Sequence, residues 1–530
     1  MNEETYYLRP DVYLEPLFNK WYTWPHNIAP ATAAMHVANH HIKIMKSFIS
    51  NPKAHQAALK NPALMGGPFL DYPTERVDDI KELLARTLSE SEDLITFSKA
   101  YHDLDKKLSE EAQGFSLESL YKEIPPPLRG YVELLYDLNN NPSLRFFEPL
   151  LYRSPYYKES AQSISLGIMQ GDERPFVMST PRFPDEHHLH LEMPFKHELV
   201  DFLFRMRNQP RSMAEIKEAL EGIETQGGLS IESLLTQSPP QIAPGFDGDG
   251  VRIRYYNHAT ILIETPEVTI LTDPVISYSY DTGLPRFTFL DLPETIDYVL
   301  ITHDHVDHVQ LETLLQIRHK IRNIIVPRNN QGAMADPSLK LMLQKLGFTG
   351  VRDLEILETI DVPDGQIVGL PFLGEHADLN IYSKIAYFVQ LKGRSVLALA
   401  DSSNLDPELY RHLHSIIGET DVIFLGMECQ GGPMSWLHGP LLTRSLSRKM
   451  DNSRRFTGAD CEHGMGIINQ FNARQVFIYA MGVEPWLSYF MGASWSPNDK
   501  PIVESNKFIE QCQAKGLEAR RLLGSEEILL

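Results

Sequence analysis

The feature that most constrains this chain is a six-residue run containing three histidines and two aspartates. From His303 to His308 the sequence reads His-Asp-His-Val-Asp-His, directly after the apolar stretch Tyr298–Ile301. The apolar stretch predicts a buried strand, and on a strand His303 and His305 point to the same side. Where the chain leaves the sheet, Asp307 and His308 can turn toward a second ion nearby. The spacing therefore predicts a metal site at a strand end, with enough ligands for two ions.

Length, charge and cysteine content limit the class of protein. The chain has 530 residues, a net charge of −21 and three cysteines. We expect two domains with separate cores, residues 1–240 and 250–530, joined by a segment rich in proline and glycine at 238–250. The acidic charge argues against nucleic acid and anionic membranes as partners. The odd cysteine number, the absence of a signal-peptide pattern and the absence of a membrane-spanning apolar stretch predict a cytoplasmic protein.

The sequence pattern changes at the predicted linker. Upstream, segments such as Thr32–Ile49 and Val77–Leu88 have helical spacing and predict a largely helical α+β domain. Downstream, short apolar runs such as Val268–Leu271 and Val396–Ala400 alternate with helical stretches. This alternation predicts a layered α/β domain.

The order of motifs in the second half resembles the metallo-β-lactamase superfamily, whose αββα sandwich carries its ligands on loops at one sheet edge. The resemblance rests on the strand ending at Asp273, the His-Asp-His-Val-Asp-His run, the strand leading to Asp401, and a late histidine. It implies that Asp401 bridges two ions. We assign the late histidine to His463, with His438 as the second candidate.

Between Asp307 and Asp401 the superfamily supplies one more ligand, for which Glu375 and His376 compete. Because neighbouring side chains on an extended chain point apart, we expect only one of them to face the site. Binding by His376 would give a nitrogen-rich set that suits zinc. Binding by Glu375 would add a third carboxylate, and such a set suits iron or manganese.

The whole chain also resembles a more specific family, the diiron β-hydroxylases, one of which acts in chloramphenicol biosynthesis. This resemblance rests on Glu375 and on a large N-terminal domain with the segments Leu8–Leu17 and Trp24–Ala31. It implies a non-haem diiron monooxygenase that hydroxylates the β-carbon of an aminoacyl group, held as a thioester on a carrier domain of a nonribosomal peptide synthetase. It implies catalytic roles for Glu375 and Asp401, and the following metal ligands: His303, His305, Asp307, His308, Glu375, Asp401 and His463.

The resemblance also predicts the partners. The N-terminal domain would serve homodimerisation and carrier docking, and the basic segment Arg444–Arg455 would meet the phosphate of the phosphopantetheine arm. O₂ chemistry needs electrons from an external reductant, because the sequence lacks a nucleotide-binding glycine motif after a strand. His258 precedes a predicted strand, and we expect it to be a hydrogen-bonded structural residue. The alternative function is a dizinc hydrolase of an ester, lactone, thioester or phosphodiester.

Overall fold

The computed structural model describes residues 4–61, 64, 66–281, 283–492 and 495–530. Its N-terminal half contains ten strands: β1 (Thr5–Leu8), β2 (Val12–Phe18), β3 (Trp21–Tyr22), β4 (Val132–Tyr136), β5 (Pro142–Phe146), β6 (Gln162–Ile168), β7 (Leu189–Glu192), β8 (Arg211–Ser212), β9 (Glu224–Gln226) and β10 (Leu235–Thr236). The central sheet has the order β3-β2-β6-β7-β9, beside a three-stranded sheet β10-β1-β8 and the hairpin β4-β5.

The described residues of the same half form nine α-helices: α1 (Pro25–Ile28), α2 (Pro30–His36), α3 (Ile42–Ser50), α4 (Pro52–Leu59), α5 (Val77–Glu90), α6 (Glu92–Glu111), α7 (Glu148–Leu151), α8 (Glu198–Arg205) and α9 (Met213–Ala219). Helices α3, α5 and α6 bury their apolar faces against one another around Phe48, Leu83 and Phe97. The α+β architecture is confirmed, and it contains more strand than the helical spacing of this half predicts.

The second half contains fourteen strands: β11 (Arg252–Asn257), β12 (Thr260–Glu264), β13 (Thr269–Thr272), β14 (Ile296–Leu300), β15 (Ile321–Pro327), β16 (Val351–Leu354), β17 (Thr359–Val362), β18 (Gly365–Leu370), β19 (Ala386–Leu391), β20 (Arg394–Ala398), β21 (Val422–Gly426), β22 (Gln475–Tyr479), β23 (Glu518–Arg521) and β24 (Glu526–Leu529). They form two seven-stranded sheets, β16-β15-β14-β13-β12-β11-β24 and β17 to β23 in sequence order. Residues such as Ile261, Val389 and Phe424 fill the space between the sheets.

The described residues of this half also form the α-helices α10 (Leu311–Ile317), α11 (Leu339–Lys345), α12 (Pro407–Ile417), α13 (Ser435–His438), α14 (Arg448–Ser453), α15 (Cys461–Phe471), α16 (Ser488–Met491) and α17 (Lys500–Ala514). Helices α10 and α11 pack on the outer face of the first sheet. The outer face of the second sheet packs against α12, α15 and α17. This arrangement is the predicted αββα sandwich, which is confirmed. In the part of the chain that the structure describes, no helix is both long and apolar enough to cross a membrane.

The two halves share a hydrophobic core, whereas the sequence predicts separate ones. Leu14 and Leu166 from the N-terminal sheet belong to the same buried cluster as Leu271 and Val299 from β13 and β14. The N-terminal half thus covers the outer face of the first sheet of the sandwich. Strand β14 leads directly into the histidine-rich loop, so packing against the N-terminal half helps to fix that loop.

Candidate metal centre

Buried histidines and carboxylates meet at one edge of the sandwich, where β14 and β20 end. They form three groups, each with its donor atoms within 4.8 Å of one another: His303, His305, Glu375 and His376; His303, His308 and Asp401; and His258, Asp307 and His308. Six of the seven ligands predicted from the sequence belong to these groups. Their close approach indicates a centre for more than one ion.

Asp401 lies between the histidines of the groups. Its Oδ2 is 3.0 Å from Nε2 of His308 and 3.8 Å from Nε2 of His303. Its Oδ1 is buried and has no hydrogen-bond partner among the described residues. One carboxylate oxygen therefore faces two histidines while the other is free, which is the arrangement that a bridging ligand requires.

Glu375 and His376 both reach the same group of donors. Glu375 Oε1 lies 3.0 Å from Nδ1 of His305, and Glu375 Oε2 lies 3.1 Å from Nδ1 of His376. The expectation that one of the pair faces away is wrong because the segment is not extended: Gly374 and Glu375 have φ angles of +84° and +66°. Glu375 lines the cavity with Asp307 and Asp401, whereas His376 does not, so we favour Glu375 as the ligand that faces substrate.

His258 is a candidate ligand that the sequence reading assigned to a structural role. Its Nε2 lies 3.1 Å from Oδ2 of Asp307, and its ring centroid lies 5.1 Å from that of His308. The side chain is fully buried, and its Nδ1 has no hydrogen-bond partner among the described residues. Because its Nε2 lies among the donor atoms of Asp307 and His308, His258 is a candidate metal ligand.

The structure does not bring His463 into any of the three groups found among the described residues. His463 lies in the first turn of α15, and its Nδ1 is 3.2 Å from Asp460, the residue that caps the helix. Its side chain is 36% exposed. His438 is buried, but its ring centroid is 6.5 Å from that of His305, and it also lies outside the groups. The sequence order of motifs favours a late histidine, whereas the histidine that lies beside Asp307 and His308 in the structure is the early His258.

Two further aspartates hold the histidine-rich loop. Asp273 accepts hydrogen bonds from the backbone N and the Oγ1 of Thr302, at 2.7 and 2.6 Å, and its Oδ2 is 2.8 Å from Nδ1 of His308. This contact directs Nε2 of His308 toward the centre. Asp304 contacts Nε2 of His26 at 2.9 Å with both side chains fully buried. The N-terminal half therefore contributes directly to the shape of the loop.

The donor atoms fit metal ions on physical grounds. Buried atoms without a hydrogen-bond partner among the described residues include His305 Nε2, Glu375 Oε2 and both ring nitrogens of His376. Leaving such atoms unpaired is costly, and a bound cation would satisfy them. Burial lowers the pKa of His303 and of His376 well below the ordinary value. Both rings are thus neutral, with a lone pair available for a metal.

The backbone is strained beside several donors. His258, Asp273 and Ala400 have φ angles of +46°, +33° and +46°, a region that favours glycine. Each such residue costs about 1–3 kcal/mol, and such strain is common at functional sites. Two hydrogen bonds hold Ala400 in place. Its backbone N donates to the Tyr479 hydroxyl at 2.9 Å, and its carbonyl oxygen accepts from the backbone N of Gly426 at 2.8 Å. This geometry presents the next residue, Asp401, to the centre.

A cavity of about 310 Å³ opens onto the centre. Its walls are largely aromatic, with Trp436, Phe456, Phe490 and Trp495. Glu428 also lines it, and no hydrogen bond from the described residues reaches its carboxylate. Burial, together with the nearby Asp401, raises the pKa of Glu428 well above the ordinary value. The cavity therefore combines an apolar wall with a carboxyl group that favours its neutral form unless a cation lies beside it.

Comparison with known proteins identifies the family. Residues 7–239 match the family model described as diiron non-heme beta-hydroxylase N-terminal domain, and residues 252–383 match a beta-lactamase superfamily domain. The chain is 35% identical to a Streptomyces venezuelae enzyme named 4-amino-L-phenylalanyl-[CmlP-peptidyl-carrier-protein] 3-hydroxylase, with 98% of each protein covered. The chain belongs to the diiron β-hydroxylase family.

The structure is also similar to solved structures of this family. Comparison with the crystal structure of CmlA, a diiron β-hydroxylase from S. venezuelae, gives a TM-score of 0.92 at 34% identity and covers 100% of both chains. A point variant of CmlA gives a TM-score of 0.90, also at 34% identity, covering 99% of this chain and 100% of its own.

Membership of the diiron β-hydroxylase family confirms the predicted fold, enzyme class and cofactor. The donor set is consistent with iron, because Asp307, Glu375 and Asp401 bring three carboxylates to a group of histidines. Imidazole suits iron as well as zinc, so the identification of the metal rests on the family. The dizinc hydrolase alternative has no support from the family.

Proposed function

We propose that this diiron β-hydroxylase acts on the β-carbon of an aminoacyl group that a carrier domain holds as a thioester. The overall reaction inserts one atom of O₂ into a C–H bond and reduces the other to water, with two electrons from an external donor. The main support for this proposal is the cavity, whose lining includes the carboxylates that face the metal centre and the unpaired carboxyl group of Glu428. The name of the S. venezuelae relative, which specifies a carrier-bound amino acid, supports the same substrate class.

The residues of the chain would prepare the chamber for this reaction. When bound, the two iron ions supply the activation of O₂. His303, His305, Asp307, His308, Glu375 and Asp401 would hold them, with His258 as the further ligand. Asp273 fixes the ring of His308 through its Nδ1. The aromatic walls exclude water around the reacting carbon, and Glu428 is placed to bind the amino group of the substrate.

The experiment that tests this function uses the purified, iron-loaded protein with a carrier domain charged with an amino acid. We expect iron rather than zinc in the protein, O₂ consumption with a reductant, and a product heavier than the substrate by one oxygen atom. Thioester hydrolysis by a zinc-loaded protein without O₂ uptake would contradict the proposal.

The Glu428→Gln variant is expected to lower kcat/KM on the loaded carrier about 10- to 100-fold. Hydrogen bonds to charged groups contribute about 1.5–3 kcal/mol, and glutamine cannot form the ion pair that Glu428 would form when the substrate ammonium lies beside it. Iron content should remain unchanged, because Glu428 lies outside the three donor groups. Glu510→Gln, an exposed change on α17, is the matched control. An unchanged kcat/KM in the Glu428 variant would exclude it from substrate binding.

We place the carrier-docking surface beside the cavity, at the exposed basic residues Arg444, Arg448 and Lys449. The helix α14 that begins at Arg448 is tied to the cavity wall, because Asp451 accepts hydrogen bonds from the N and Oγ of Ser435 at 2.9 and 2.6 Å. An acidic carrier domain with a phosphate on its arm complements such a surface.

Arg454 and Arg455, at the end of the same basic segment, have structural contacts. Their Nε atoms donate to the carbonyl oxygens of Ala377 and Gly431, at 2.8 and 2.9 Å. Both acceptors lie in loops next to the cavity, so changing these arginines would disturb the chamber itself. The exposed residues at the start of the segment give the cleaner test of docking.

Changing Arg444, Arg448 and Lys449 together to glutamate is expected to lower kcat/KM on the loaded carrier about tenfold or more at low salt. The loss should shrink as salt is added, because salt screens exposed charges. Turnover on a small aminoacyl thioester without a carrier should be unchanged. The control reverses three exposed lysines of the N-terminal half, Lys99, Lys122 and Lys217. Equal losses on the two substrates would contradict docking at this surface.

The remaining proposals concern the cellular context. We propose that the protein works in the cytoplasm, because its three cysteines are all unpaired, as expected in a reducing compartment. We propose further that residues 1–240 mediate a homodimer, which analytical ultracentrifugation of the full chain would test. An external electron donor supplies the two electrons of each turnover.

A further inference from the structure

The N-terminal half contains a second cavity, of about 330 Å³, that shares no lining residue with the metal cavity. Tyr13 and Glu15 from β2, Ser165 from β6 and His190 from β7 contribute to it. The rest of its lining comes from the connections around the sheet. Its size is in the range of small-molecule sites, and none of the residues that hold the metal centre reaches it.

The floor of this cavity contains two buried guanidinium groups with unused donors. Glu15 accepts from Arg174 Nη2 at 2.6 Å and from Arg182 Nε at 2.7 Å, and all three side chains are buried. Arg174 also contacts Glu312 at 2.8 Å, so the floor as a whole is balanced in charge. Within the described part of the chain, however, Nη1 of Arg182 makes no hydrogen bond, and Nε of Arg174 has no partner.

His190 adds another unsatisfied polar atom to the floor. The side chain is fully buried, its Nε2 lies 3.4 Å from Oγ of Ser165, and its Nδ1 has no partner among the described residues. Burial lowers the pKa of His190 to about 4, so the ring is neutral. Unpaired polar atoms in a buried cavity favour a ligand that can pair with them.

The rim of the cavity has the opposite charge. Asp71 and Glu173 line it, and neither carboxylate makes a hydrogen bond or ion pair with the described residues. The wall between rim and floor is apolar and aromatic, with Tyr72 and Phe183 at a ring-centroid distance of 5.6 Å and with Ile168 nearby. Charges are therefore segregated, with guanidinium donors at the floor, carboxylates at the rim and an aromatic wall between them.

We propose that this cavity binds a free aromatic α-amino acid in its zwitterionic form. The carboxylate would pair with Arg182 and the ammonium with Asp71 and Glu173, and the side chain would lie against Tyr72 and Phe183. A carrier-bound aminoacyl group has no free carboxylate, so this ligand differs chemically from the substrate of the metal centre. A phosphate would meet the rim carboxylates, and a simple amine would leave the floor donors unpaired.

Calorimetry on the full-length, iron-loaded protein tests the proposal with three probes that have similar aromatic groups. L-Phenylalanine carries both charges, 3-phenylpropionate only the carboxylate, and phenethylamine only the ammonium. We expect L-phenylalanine to bind at a single site, and each of the other probes to bind at least about tenfold more weakly. An absence of heat with L-phenylalanine, or equal binding of either analogue, would overturn the proposal.

Variants locate the site. The double change Asp71→Asn and Glu173→Gln should weaken L-phenylalanine about tenfold or more without weakening 3-phenylpropionate. Glu118→Gln, an exposed change outside the cavity, is the matched control. If L-phenylalanine bound more weakly to the Glu428→Gln variant but with unchanged affinity to the double variant, the ligand would lie in the metal cavity. That result would refute the second site. Turnover on the loaded carrier should be unaffected by the double change, so this test is separate from that of the proposed function.

Discussion

The Asp401→Ala variant is expected to lose most of its iron and its hydroxylation activity. Asp401 Oδ2 faces His303 and His308, and its Oδ1 has no hydrogen-bond partner among the described residues, so Asp401 would be placed to bridge two ions. Removing a residue that only supports a metal ligand lowers metal affinity or activity about 10- to 100-fold. Removing a bridging ligand should therefore lower turnover by more than about 100-fold. Iron per chain, measured beside turnover on the loaded carrier, gives both quantities.

The control for this variant is Asp361→Ala, which removes an exposed carboxylate on β17 from the same sandwich. Circular dichroism should show both variants folded, because the cores of the two sheets are unchanged. If the Asp401 variant kept near-normal iron and turnover, Asp401 would not bridge the ions. His303 and His308 would then need another carboxylate partner, and the assignment of the centre would have to be revised.

The sequence predicts most of this centre because its signals are local. The His303–His308 run directly follows a strand, and Asp273 and Asp401 also come after apolar runs. In the structure, β13, β14 and β15 are parallel, as are β20, β21 and β22. Side chains that follow parallel strands meet at the same edge of a sheet, so Asp273 and the histidine-rich loop come together in the first sheet. Asp401 follows β20 of the second sheet, and the packing of the two sheets brings it to the same edge.

Glu375, His376 and His258 were harder to place because their positions depend on backbone conformation and on sheet order. The left-handed backbone at Gly374 and Glu375 turns both side chains of the pair toward the centre, and an extended segment would not. His258 lies in the turn between β11 and β12, and β12 pairs with β13, which leads to Asp273. The distance between His258 and Asp307 therefore follows from strand pairing, which sequence periodicity does not reveal.

The extent of the N-terminal sheet is not evident from the sequence, because strand β2 lacks the alternation that marks a half-exposed strand. Every residue of β2, from Val12 to Phe18, is buried, including Glu15. A strand buried on both faces has no polar face and gives no period of two. Glu15 is stabilised there by Arg174 and Arg182, which come from a connection far along the chain. Such long-range ion pairs leave no local signal in the sequence.

Replacing His258 with alanine and, separately, His463 with alanine is expected to give opposite results. The Nε2 atom of His258 lies 3.1 Å from Asp307, and the fully buried side chain shares a donor group with Asp307 and His308, so its loss should weaken the binding of one of the two ions. Iron content should fall from two ions toward one per chain, and turnover should fall more than about 100-fold. His463→Ala should retain both ions, because this half-exposed side chain contacts Asp460 and Ser403 rather than the donor groups.

The pair of variants is informative because each removes one imidazole from the same domain. Iron analysis and the optical spectrum of the iron-loaded protein distinguish a centre with two ions from a centre with one. If His463→Ala lost an ion and His258→Ala kept both, the late histidine would be the ligand, and α15 would have to turn its first residues toward the centre when metal binds. If His258→Ala lost an ion while remaining folded, the turn between β11 and β12 would supply the final ligand, and the strained backbone at residue 258 would be explained by metal binding.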